Sequence, residues 1–125
     1  MTDTGHTVVQ TPTFLAAAKR IGMSDEERER AVLIIAASPK AGDVIEGTGG
    51  VRKVRIARDG GGKSGGYRVF TFYGGGDVPV FLFTVISKAK DANLSKATRN
   101  ELRAVVEGIA DAYRTDVRQA VAKGP

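Results

Sequence analysis

Hydrophobic and polar positions change their period several times along the 125-residue chain. The run His6-Thr-Val-Val-Gln-Thr11 is rich in β-branched residues and ends at Pro12, which predicts a short strand. From Pro12 to Ile21 the composition becomes helix-forming, with proline at an early position and Gly22 as a stop. Ser24-Asp-Glu-Glu27 is a capping-box pattern: the serine hydroxyl can accept from a free backbone N–H while Glu27 reaches back. A second helix therefore starts there, runs through Val32, Leu33, Ile34 and Ile35, and ends before Pro39. Its later half is apolar nearly all round, which predicts packing against a sheet. The glycines between Ala41 and Gly50 predict turns with no regular element.

Three strands are expected next, over Val51–Arg58, Tyr67–Tyr73 and Val80–Ser87. Gly74-Gly-Gly-Asp-Val-Pro79 has the residues of a hairpin loop, and short connections make the three an antiparallel meander. Val80-Phe-Leu-Phe-Thr-Val-Ile86 is almost continuously apolar, as a strand covered on both faces must be. A last helix opens near Ser95 and runs at least to Tyr113. Leu102, Val105, Val106, Ile109, Tyr113 and Val117 recur on it at helical spacing and form a stripe able to lie on the sheet. The order β-α-α-β-β-β-α, with one antiparallel sheet and helices packed on it, is an α+β domain. Residues 1–6 are expected as a flexible leader, 7–121 as a single domain and 122–125 as a frayed tail.

Composition narrows the chemistry. There is no cysteine, so thiol nucleophiles, thiolate metal sites and disulfides are excluded. The single histidine, His6, lies in the polar N-terminal stretch, which removes paired-histidine catalysis and histidine-rich metal sites. No cofactor and no metal are expected. The N-terminus lacks the basic start and apolar run of a signal peptide, and the longest apolar run, Ala31 to Ala37, is far too short to span a membrane. A cytoplasmic protein without a membrane partner is the expectation.

Charge is unevenly placed. Arg52, Lys53, Arg55, Arg58, Lys63 and Arg68 meet one acid, Asp59, in the two strands and loop from Val51 to Arg68, so the formal excess of +5 lies there while the rest is balanced. Such a concentration is the footprint of a polyanion site. Alternation along the first of these strands puts Arg52, Val54, Ile56 and Arg58 on one side and Val51, Lys53, Arg55 and Ala57 on the other. Val54 and Ile56 belong in a core, so Lys53 and Arg55 should point together to the opposite face. Whether Arg68 joins them depends on strand register. Gly62-Lys63-Ser64 is not a P-loop: Ala57 stands where the first glycine is required, and a strand follows where a helix is needed. The glycine-rich loop around Lys63 either is a plain hairpin loop or lets phosphate approach a bare backbone.

Several segments together resemble the RelE/ParE superfamily of type II toxin–antitoxin toxins. These are Lys53-x-Arg55, Gly66-Tyr-Arg68-Val and Val80-Phe-Leu-Phe-Thr-Val-Ile-Ser-Lys88. Thr11-Pro-Thr-Phe14, Gly47-Thr-Gly-Gly-Val-Arg-Lys53, Gly62-Lys-Ser-Gly-Gly66 and Asn93-Leu-Ser95 resemble its HigB-like branch, and the likeness runs from about Val8 to about Ile109. The resemblance implies a RelE-like fold and a ribosome-dependent mRNA endonuclease, held inactive by a cognate antitoxin with a helix-turn-helix DNA-binding domain. It implies catalytic roles for Lys53, Arg55, Arg68 and Lys88. Arg52, Arg58, Lys63 and Lys90 would be further RNA contacts. The tyrosine that RelE carries shortly after the last basic residue is missing from Ala92–Ser95, and Ile86 stands where an aromatic residue is usual in the HigB-like pattern. Cleavage of RNA by its own 2′-hydroxyl needs a base, charge stabilisation at phosphorus and a proton for the leaving 5′-oxygen. With no usable histidine, Lys53 is the expected base, Arg55 and Arg68 the phosphate forks, and Lys88 or Lys63 the group beside the leaving oxygen. Two other readings remain open at this point: a ParE-like toxin acting on DNA gyrase, and an RNA- or ribosome-binding module without chemistry.

Overall fold

A computed structural model describes residues 6–58, 66–75, 78–87 and 95–123, with the backbone alone at 98, 110 and 113–123. The elements are β1 (Val8–Gln10), α1 (Pro12–Arg20), α2 (Asp25–Ala37), β2 (Asp43–Val44), β3 (Val51–Ile56), β4 (Tyr67–Tyr73), β5 (Val80–Ile86) and α3 (Lys96–Lys123). The fold is α+β, as expected. Two features refine the expectation. The sheet has five strands in the order β1-β5-β4-β3-β2, and β1 lies parallel to β5, so the sheet is mixed rather than wholly antiparallel. The glycine-rich stretch before β3 also holds a two-residue strand, β2, antiparallel to β3. Both depend on partners distant in sequence or on very short pairing, which local periodicity does not register.

The helix starts follow from local chemistry. Thr11 caps α1: its hydroxyl accepts from the Phe14 N–H at 3.1 Å and donates to the Leu82 carbonyl at 2.7 Å, joining the helix start to β5. Ser24 and Glu27 form the anticipated capping box at α2, with bonds of 2.9 and 3.0 Å. Packing on α2 is narrower than its composition suggests. Glu27, Ala31, Ile35 and Ala36 are buried, whereas Leu33 is 64% and Ile34 41% exposed. A sheet covers one stripe of a helix and leaves the adjoining apolar residues outside it.

The sheet divides the core in two. Phe14, Ala17, Ala18, Met23, Ala31 and Ile35 from α1 and α2 pack with Val54, Ile56, Tyr67, Val69, Val80, Leu82 and Val85. On the opposite face, Val106 of α3 packs with Val51, Phe70, Phe72, Phe81 and Phe83, joined at the margin by Leu102 and Ile109. A bulge sets which β5 residues belong where. Phe70 pairs with Thr84 but Thr71 pairs with Leu82, so Phe83 is the extra residue. That one-residue shift returns Ile86 to the same face as Phe81 and Phe83. His6 is half-buried: its N–H donates to the Ala36 carbonyl at 2.8 Å and its ring stands edge-on to Tyr73, 4.9 Å between centroids.

One polar contact crosses the first core. Glu27 is 4% exposed and accepts from the Tyr67 hydroxyl at 2.9 Å, joining α2 to the start of β4. A buried acceptor of this kind is costly to strip of a donor. Tyr67→Phe is expected to lower stability by about 1–3 kcal/mol, read as a reduced urea midpoint at an unchanged slope; an unshifted midpoint would show that the bond contributes nothing.

Candidate nucleic-acid interface

Register decides which cations meet. β3 and β4 pair Lys53 with Phe70 and Arg55 with Arg68, and β4 and β5 pair Arg68 with Ile86 and Phe70 with Thr84. Residues directly opposite share a face, so Lys53, Arg55 and Arg68 all lie on the α3 side of the sheet. Val51, Phe72 and Phe81 form the row under α3, and the basic rows continue the same face beyond it. Lys53 and Arg68 are half-buried and Arg55 is exposed. Two arginines directly opposed on adjacent strands repel one another at a cross-strand spacing of about 5 Å. An anion placed between or above two such arginines would meet both of their charges.

Two other cations named from the sequence, Arg52 and Arg58, lie apart from these rows. Arg52 points to the opposite face, where its Nη1 donates to the carbonyls of Lys40 at 2.9 Å and Gly42 at 3.1 Å. It straps the loop before β2 onto β3, and does not extend the basic rows. Arg58, just past β3, holds its guanidinium 5.7 Å from the centre of the Tyr67 ring, and that ring belongs to the α1–α2 core. Lys63, Lys88 and Lys90 lie outside the described residues.

Folding also brings up groups that the linear sequence hides. Asp43 pairs with Lys53 across β2 and β3, so a carboxylate stands beside the basic rows on the same face. Arg99 and Arg103 of α3 come to the β2–β3 turn, where Gly47 and Gly49 leave room for their stems. Thr48 closes this turn: its hydroxyl donates to the Ile45 carbonyl at 2.6 Å and accepts from the Val51 N–H at 3.0 Å. The sequence signal for β2 was Val44-Ile45 between Gly42 and Gly47, too short to separate from a plain turn. Among the described residues no three acidic or histidine side chains stand together as metal ligands. No helix among them is long and apolar enough to cross a membrane.

A family model, RelE toxin of the RelE/RelB toxin–antitoxin system, matches residues 6–125. The chain belongs to the RelE toxin family. As a RelE-family protein it is the toxin of a toxin–antitoxin pair, with an antitoxin as its partner. The basic rows on β3 and β4 are thus the surface of a RelE-family toxin, and they hold Lys53, Arg55 and Arg68, three of the four residues that the resemblance named; the fourth, Lys88, lies outside the described residues.

The geometry that presents Lys53 depends on a close backbone approach. Gly42 has φ +88°, and a Cβ there would collide with the Lys53 carbonyl oxygen. Gly42→Ala should therefore detach β2 from β3 and cost about 1–3 kcal/mol. Chemical denaturation measures this directly; an unchanged stability would mean that the approach is not constrained.

Proposed function

We propose that this RelE-family toxin is a ribosome-dependent mRNA endonuclease of the HigB-like branch, cutting the message by attack of its own 2′-hydroxyl. The observation that carries the reading is the shared face of Lys53, Arg55 and Arg68 on neighbouring strands. Guanidinium groups stay protonated and offer a planar fork of donors that fits phosphate oxygens, so Arg55 and Arg68 hold the scissile phosphate and stabilise the extra charge of the phosphorane. Lys53, next to them in the adjacent row, is the basic side chain able to pass a proton to or from the reacting oxygens. Lys88 follows β5 in sequence and, by the family resemblance, would add a further cation near the leaving oxygen.

An exposed Arg55 and half-buried neighbours suit an extended single strand better than a closed small-molecule cavity. In the ribosomal A site, ribosomal RNA supplies the phosphates that dock the basic surface, and the exposed codon supplies the substrate. The proposal places the toxin in the cytoplasm and makes its partner a helix-turn-helix antitoxin whose acidic surface neutralises the basic rows.

The test is mapping of transcript 5′-ends after brief induction. The wild-type chain should generate new ends within codons on translated messages. Lys53→Ala and Arg68→Ala should each lower cleavage by about 100-fold or more, with growth arrest lost in parallel. New ends that persist in both variants would defeat the reading. Growth arrest without any new ends, accompanied by loss of DNA supercoiling, would assign the toxin to gyrase instead.

A further inference from the structure

The site contains a carboxylate that neither the sequence nor the family resemblance singled out. Asp43 is directly opposite Lys53 on the α3-side face, and several independent contacts fix it there. Arg52 straps the preceding loop through the carbonyls of Lys40 and Gly42, Gly42 permits the close approach to the Lys53 backbone, and Ile45 N–H donates to the Val51 carbonyl at 2.8 Å. The two α-carbons of such a pair stand about 5.5 Å apart. Asp43 and Lys53 form no ion pair with each other, and the Asp43 side chain is exposed, so its carboxylate is open to a substrate hydroxyl.

We propose that Asp43 is the general base of the cleavage and that Lys53 is its general acid; this rests on the endonuclease reading above. A carboxylate can only accept a hydrogen bond, and an ammonium can only donate one. A carboxylate beside an ammonium thus supplies both groups in the forms that the reaction consumes, which reverses the direction of proton movement expected for Lys53 from sequence. Asp43 takes the proton of the 2′-hydroxyl as the 2′-oxygen bonds to phosphorus. Arg55 and Arg68 hold the phosphorane oxygens. The bond from phosphorus to the 5′-oxygen breaks, and Lys53 gives that oxygen a proton, leaving a 2′,3′-cyclic phosphate and a 5′-hydroxyl. The carboxylic acid and the neutral amine then stand on paired residues of adjacent strands, so one proton passing from Asp43 to Lys53 restores the starting state.

The assignment is tested with ribosomes carrying a message that has, at the A-site codon, either an ordinary linkage or a 5′-bridging sulfur, a leaving group that departs without protonation. Asp43→Asn should cut both linkages about 100-fold or more slowly than wild type. Lys53→Ala should be equally slow on the ordinary linkage but return to within about tenfold of wild type on the sulfur linkage, since its acid is no longer needed. Asp43→Glu, which keeps the carboxylate, should retain more activity than Asp43→Asn. Equal melting temperatures for these variants and wild type confirm that folding is not the cause. Cleavage by Asp43→Asn within threefold of wild type, or rescue of Asp43→Asn by sulfur, would overturn the assignment while leaving the endonuclease reading intact. Failure of the wild-type chain to cut the ordinary message would remove that reading itself, and the assignment with it.

Discussion

The ladder between β3 and β4 joins Val51 to Phe72, Arg52 to Thr71, Lys53 to Phe70, Val54 to Val69, Arg55 to Arg68 and Ile56 to Tyr67. Side chains alternate across a sheet with a period of two, so this register assigns every residue of both strands to a face at once. A slip of one position between the strands would put Arg68 opposite a core-facing residue and break up the basic rows. What holds the register is burial on both sides: Val54, Ile56, Tyr67 and Val69 on one face, Val51, Phe70 and Phe72 on the other. The hydrophobic effect is non-directional, but applied to two faces of one ladder it becomes a positional constraint. The cations are placed by the burial of the residues that alternate with them.

The same division explains why the two sides of the sheet differ in purpose. α1 and α2 cover one face, and their core includes the Glu27–Tyr67 contact that anchors the beginning of β4 next to Arg68. α3 covers part of the other face through Leu102, Val106 and Ile109, and the rows of Lys53, Arg55 and Arg68 continue that face past Val51 and Phe72. A scaffold buried on both faces thus carries a basic surface at the margin of its described core. The opposed pair Arg55 and Arg68 brings like charges together on adjacent strands, in a register set by the burial around it.

Arg52 illustrates how position outweighs residue type. In sequence it is one more basic residue in a basic run; in space it faces away from Lys53 and spends its donors on two loop carbonyls. Its contribution to the site is indirect, through the strap that seats β2. Asp43 is the converse case. Ten positions from Lys53 in sequence, it becomes the neighbour of that lysine through a two-residue strand.

Much of the fold was legible in the residues. The Ser24–Glu27 capping box, Pro12 at the first helix, the β-branched and aromatic strands and the apolar stripe of α3 are local signals, because caps, turns and amphipathic periods are set within a few residues. The alternation that put Lys53 and Arg55 on one face was equally local. By itself, then, the sequence determined every element but β2, the sidedness of β3 and the RelE-family character of the chain. Tertiary structure alone decided that Arg68 joins Lys53 and Arg55, that Arg52 leaves them, that β1 runs parallel to β5 and that Asp43 comes to stand opposite Lys53. Each of these is a question of strand register or of pairing between distant segments, and such pairing is chosen by the burial of whole faces, a quantity no local stretch of residues contains.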